Sequence, residues 1–161
     1  MARQHLIQPT VPEVPATAVR LGASATPADN LTTTEQGKFV KLAGSSQYAL
    51  CTVGQEIEGV IFAVELGLQA GWTIGSIQSS GKLRVQADGL QATPGTGVIN
   101  VGDIVVCGTP IPKGTPVGST TGYPKVCKAT TPANVTFKWR VVSLDVANTG
   151  AVGTNIVIER I

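Results

Sequence analysis

Groups able to act as nucleophile, general base or metal ligand are few in this chain and poorly placed for one another. One imidazole, His5, occurs in 161 residues, whereas most hydrolytic and proton-transfer chemistry draws on histidine or on clustered carboxylates. Glu56 and Glu58 lie two residues apart, on one face of an extended segment, with Glu65 further along. As a glycosidase acid and base, one of them would need its pKa raised by burial, and Gln55 and Gly59 beside them do not supply an apolar pocket. They are expected to form a solvated strand face. Ser79-Ser80-Gly81-Lys82 sets hydroxyls near an amine, but this is also ordinary turn chemistry. Cys51, Cys107 and Cys127 are an odd set inside apolar runs, without the close pairing of metal sites, and read as reduced, buried thiols. The Gly108–Gly118 segment resembles a phosphate loop only superficially. Prolines at 110, 112 and 116 delete three backbone donors and the Gly-x4-Gly-Lys spacing is missing, so it is expected to be a rigid exposed loop available for contacts. No catalytic, cofactor-binding or metal-binding residue is assigned, and the expectation is a scaffold rather than an enzyme.

Lys125, Lys128, Lys138 and Arg140 are the one cluster of cations with a binding interpretation. Alternation places them on outward faces of two strands, where they either solubilise the surface or form a basic contact patch for an acidic protein. Stacking readers of nucleic acid interleave aromatics with cations; here only 4% of residues are aromatic and none sits among these four. The net charge of +2 is too small to gather nucleic acid or an anionic membrane at long range. No segment approaches the roughly 20 apolar residues that span a bilayer, and a soluble protein made in a cytoplasm is expected.

Short strands must position these groups. With 19 glycines and 10 prolines, the chain is cut into runs too brief for average helices. In Val135–Val141 the apolar residues fall on odd positions, predicting a strand with Phe137 and Trp139 inward and Lys138 and Arg140 outward. At Val141-Val142 the phase flips, and Val142, Leu144 and Val146 take the inward positions, as a bulge or sheet corner allows. Leu83, Val85 and Ala87 alternate after Ser79-Ser80-Gly81, predicting a hairpin with Trp72–Ile77. Gly59–Val64 reads as a strand buried on both sides, and 39–42, 48–53, 104–107 and 155–161 complete about eight strands of a small β-barrel or β-sandwich. Asp29–Gln36 is the one candidate for a short helix. The sequence shows no repeat of fixed period. Trp72 and Trp139 are both expected inside.

Residues 1–30 differ from the remainder. Pro9, Pro12 and Pro15 restrict themselves and their predecessors to extended backbone, predicting an arm that precedes a β domain at 31–161. Its apolar residues, Leu6, Ile7, Val11, Val14, Val19 and Leu21, exceed what a free linker carries, so the arm is expected to lie on a neighbouring chain.

A proline-containing arm before a Gly/Thr/Val-rich β domain resembles the head decoration, or cement, proteins of tailed bacteriophages. The matching segments are Gly59–Val64, Val101–Val106 and Gly153–Ile158. The resemblance implies a non-enzymatic protein on the capsid exterior that bridges subunits of the major capsid protein as a dimer or trimer, with Leu6, Ile7, Val11 and Val14 of the arm as contacts. The alternative is a carbohydrate- or receptor-binding β module of a phage tail or surface structure, which calls for exposed aromatics.

Overall fold

The computed structural model describes residues 16–22, 29–44, 47–69, 72–91, 97–118, 121–145 and 152–161. Ten strands occur among them: β1 (Ala16–Leu21), β2 (Phe39–Gly44), β3 (Gln47–Leu50), β4 (Gly59–Gln69), β5 (Trp72–Gln78), β6 (Lys82–Gln91), β7 (Ile104–Cys107), β8 (Lys125–Lys128), β9 (Trp139–Leu144) and β10 (Asn155–Arg160). Among the described residues helix is confined to two 3-10 turns, Thr33–Glu35 and Pro132–Asn134. The chain is all-β, as the glycine and proline spacing requires.

The strands form two sheets of five, each closed on itself: β1-β3-β2-β4-β5 and β6-β8-β7-β9-β10. The second order is the first moved on by five strands. In both, the first and third strands are parallel and every other pair is antiparallel.

The correspondence extends to single residues. Val40 faces Leu50 and Gly59 in the first barrel, as Val105 faces Lys128 and Trp139 in the second. Ile61 faces Ile77 and Val64 faces Gly75, as Val141 faces Ile158 and Leu144 faces Ile156. Between those pairs each barrel carries one extra residue, Phe62 in β4 and Val142 in β9, forming the same bulge. Each β2-type strand is entered through the same turn: Gly37 (φ 83°) donates to Ile61 O at 2.8 Å and Gly102 (φ 92°) to Val141 O at 2.8 Å. Glycine adopts this left-handed backbone without the steric penalty of a side chain. The chain is thus an internal duplication, which the absence of a sequence period concealed.

Several expectations change. The arm does not run to residue 30: β1 pairs with β5 from Ala16 to Leu21, and Val19 and Leu21 are buried in the first barrel with Leu31, Val40, Ile61 and Ile77. Leu6, Ile7, Val11 and Val14 lie outside the described residues. β5 and β6 are not a hairpin; residues 79–81 link the two barrels. Residues 135–138 are not strand, because the second 3-10 turn and its exit occupy them and β9 starts at Trp139. Phe62 is not buried, since the bulge turns it outward to 62% exposure. Asp29–Gln36 forms only a 3-10 turn, capped by Thr32 and Glu35. The phase change at Val141-Val142 is the β9 bulge; Trp139 is fully buried and Leu144 packs on the same core. The side chain of Trp72 lies outside the description, as does Val146.

Candidate functional site

The two barrels share polar and apolar groups at their junction. The largest core cluster joins Val85, Ala87, Val105, Cys107, Val126, Trp139, Val141, Ile156 and Ile158 of the second barrel to Phe39, Cys51 and Ile57 of the first. Residues 51–58, between β3 and β4, wedge into the second barrel. Gly54 N donates to Cys107 O at 2.8 Å, Cys107 N donates to Gln55 O at 2.9 Å, and the Trp139 indole N–H donates to Ile57 O at 2.8 Å. Glu56 is not on a solvated face: its carboxylate accepts from Thr136 N and Phe137 N, each at 3.1 Å. Arg160 donates to the backbone oxygens of Glu58 and Ser79 at 3.2 and 3.3 Å, and its guanidinium lies 4.6 Å from the Phe137 ring centre. Burial draws the Arg160 pKa down, against the opposing pull of Glu58 and Glu56.

A second junction holds the proline-rich loop. Glu35 and Lys38 are both buried, at 0% and 3% exposure, with 3.5 Å between Lys38 Nζ and Glu35 Oε1. Lys38 Nζ donates to Pro112 O at 2.7 Å and Gly114 N donates to Glu35 Oε1 at 2.7 Å. Thr32 N, Thr32 Oγ1 and Thr34 Oγ1 donate to the remaining carboxylate sites at 2.6, 2.8 and 2.8 Å. Burial raises the Glu35 pKa, but the Gly114 and Thr32 N–H groups and the two hydroxyls outweigh it and hold the group at about 2. Burial lowers Lys38, and Glu35 opposes that shift. At the near end of the loop Asp88 accepts from Thr109 N, and at the far end Pro116 O accepts from Thr121 Oγ1.

The loop is therefore clamped at both ends and in the middle while Thr109, Pro110, Pro112, Lys113, Gly114 and Pro116 remain exposed. This matches the expectation of a rigid exposed loop, but the sequence reading does not reach its anchor, Glu35 with Lys38; Thr32-Thr33-Thr34-Glu35 with a capping-box spacing is the available signal. A narrow cavity beneath it is lined by Lys38, Phe39, Cys51, Cys107, Ile111 and Lys125.

The four cations do not come from adjacent strands. β7 lies between β8 and β9, so the two strands are not neighbours. Lys128 Nζ is 3.0 Å from Asp103 and Lys125 Nζ is 3.9 Å from Asp88. Alternation sends Lys125 outward and Lys128 toward the barrel end, because Val126 points inward and Cys127 out. Arg140 is exposed on β9 and Lys138 is half-buried just before it.

Cys51, Cys107 and Cys127 are free and buried. A hydrogen bond with Cys51, and then burial, pushes the Cys107 thiol far up; burial and the nearby Asp88 push Cys127 to about 12. Among the described residues no three His, Cys, Asp or Glu side chains converge to hold a metal ion. No described helix is long and apolar enough to cross a membrane. Comparison with family models, with curated proteins and with solved structures finds no match for this chain.

Proposed function

We propose that this protein is a non-enzymatic capsid decoration protein that binds the outer surface of a phage head and bridges subunits of the major capsid protein. The observation that carries this reading is the use made of the buried polar groups. Glu35, Lys38, Glu56, Asp88 and Arg160 all hold backbone of the junctions between segments, leaving a stiff body with a fixed, exposed proline loop. Such a body suits load-bearing better than turnover. Copies repeated over an icosahedral lattice turn weak single contacts into durable attachment, because each bound arm raises the effective concentration of the next. In this reading Met1–Pro15 supplies the bridging arm, through Leu6, Ile7, Val11 and Val14, and the protein acts as an oligomer on the virion exterior.

Sedimentation with empty capsids, followed by negative-stain imaging, tests the proposal. Co-sedimentation with added density on the shell is expected; a protein that stays in the supernatant at every ratio rejects it. Carbohydrate or receptor binding is the second reading, favoured by the exposed rings of Phe62 and Tyr123. These lie in separate barrels, and glycan-array binding lost in Phe62→Ala or Tyr123→Ala would make it the better account.

A further inference from the structure

The duplication provides an internal control for what each barrel wall lacks. In the second barrel the β7–β9 ladder ends after Val105 faces Trp139, and β7 continues to Cys107 beside a gap. Residues 54–55 fill that gap, taking both backbone hydrogen bonds of Cys107, while Cys51 and Ile57 close the core behind them. Cys107 is consequently 1% exposed.

In the first barrel the equivalent ladder, β2–β4, ends after Val40 faces Gly59, and β2 likewise continues. Leu42 stands where Cys107 stands, since Leu42 faces Tyr48 as Cys107 faces Val126. The N–H and C=O of Cys107 point away from β8, so the matching antiparallel register points those of Leu42 away from β3 and into the gap. No 51–58 equivalent fills it, because residues 129–138 fold back so that Ala129 and Val135 cover Val106 and Cys127 of their own barrel. Among the described residues no loop backbone bonds to Leu42, and its side chain is 46% exposed although it has inward parity.

We infer that this open slot beside Leu42 receives the N-terminal segment of a second copy of the chain, with Leu6-Ile7 in the place that Gly54–Ile57 takes in the second barrel. The inference rests on the arm being a bridge, and it names the surface that the arm bridges to. The slot requires an extended segment bringing a free N–H, a free C=O and an apolar side chain, the elements of strand addition. Leu6-Ile7 supplies them with both N–H groups intact. Eight residues lie between Ile7 and Ala16, so the nine chain steps from one to the other reach about 30 Å when extended. Pro9, Pro12 and Pro15 keep that stretch extended and oppose a return to its own barrel, which favours a neighbour as acceptor.

Photocrosslinking of the full-length protein, without capsids, tests this. Leu42 is replaced by p-benzoylphenylalanine, isotopically light and heavy chains are mixed across a concentration series, and the products are mapped by mass spectrometry. Dimers joining residue 42 of one chain to residues 1–15 of the other are expected, with a yield that falls about tenfold in Leu6→Asp/Ile7→Asp at unchanged thermal stability. Crosslinks within one chain, crosslinks to residues 129–138 of a second copy, or monomer alone at every concentration overturn the inference. Capsid sedimentation is read separately. Binding to capsids without the residue-42 crosslink leaves decoration standing and removes the slot, whereas the crosslink without capsid binding does the reverse.

Discussion

Glu35→Gln isolates the charge of the buried anchor beneath the proline loop. Glutamine keeps the size and one acceptor oxygen, but it sets an NH2 group against donors at Thr32 or Gly114 and leaves the buried Lys38 ammonium without its counter-ion. The carboxyl is held at about 2 against an ordinary 4.5, and at about 1.4 kcal/mol per unit this is worth about 3 kcal/mol. A depressed acid contributes this stability fully above its unfolded pKa and loses it as pH falls through the folded one. Urea denaturation should therefore show Glu35→Gln about 3 kcal/mol less stable at pH 7, with the gap closing between about pH 4.5 and 2 as the wild type itself protonates. Trypsin supplies a local readout: cleavage between Lys113 and Gly114 requires release of the Gly114 N–H from Glu35, so the variant should be cut faster at this bond than the wild type. A gap of equal size at pH 3 and pH 7, or none at pH 7, refutes the assignment of Glu35 as a charged clamp.

Removal of residues 1–15 should leave thermal melting nearly unchanged, whereas removal of 1–25 takes away β1 and should abolish cooperative unfolding of the first barrel; equal melting of the two truncations would show that β1 is not needed. Trp139→Phe leaves Ile57 O without its donor in a closed core and should cost about 2–3 kcal/mol, read by chemical denaturation, while Trp139→Asp should not fold. The three thiols should label with a disulfide reagent only as fast as the protein unfolds, since all three are buried away from it; stoichiometric labelling of the native protein within minutes would contradict their placement.

Alternation within single strands was legible in the sequence, because period 2 depends only on which face meets the core. It locates the β9 bulge through the inversion at Val141-Val142 but starts that strand four residues early, at Val135 rather than Trp139, whereas the apolar run Ile104–Cys107 and the segment 155–161 fall on or within one residue of β7 and β10. Partner choice was not legible. Ser79-Ser80-Gly81 between two alternating runs has the composition of a hairpin turn, yet β5 is already paired on both edges by β1 and β4, and only the closure of the first barrel forces the chain onward to begin a second. The same closure explains why the arm ends at residue 15 and not at residue 30. Val19 and Leu21 follow a proline-rich stretch, but they complete a barrel that would otherwise stay open between β3 and β5.

The duplication was hidden for a further reason, visible where the two barrels can be superimposed by register. Leu21 and Gly75 of the first barrel occupy the places of Ala87 and Ile156 in the second. A Cβ on Gly75 would meet the backbone oxygen of Ala63 first and then the Leu21 side chain at 2.5 Å, and the large residue sits on one strand in the first barrel and on its neighbour in the second. Selection for filled volume acts on the pair and not on either position, and each exchange of this kind removes two matches from any comparison of the halves. The loops have diverged further, because residues 51–58 serve the neighbouring barrel and residues 129–138 serve their own. Conserved register with exchanged side chains is what a fused pair of barrels should retain once its two halves take different positions, one wall sealed within the chain and the other left beside Leu42 for a partner.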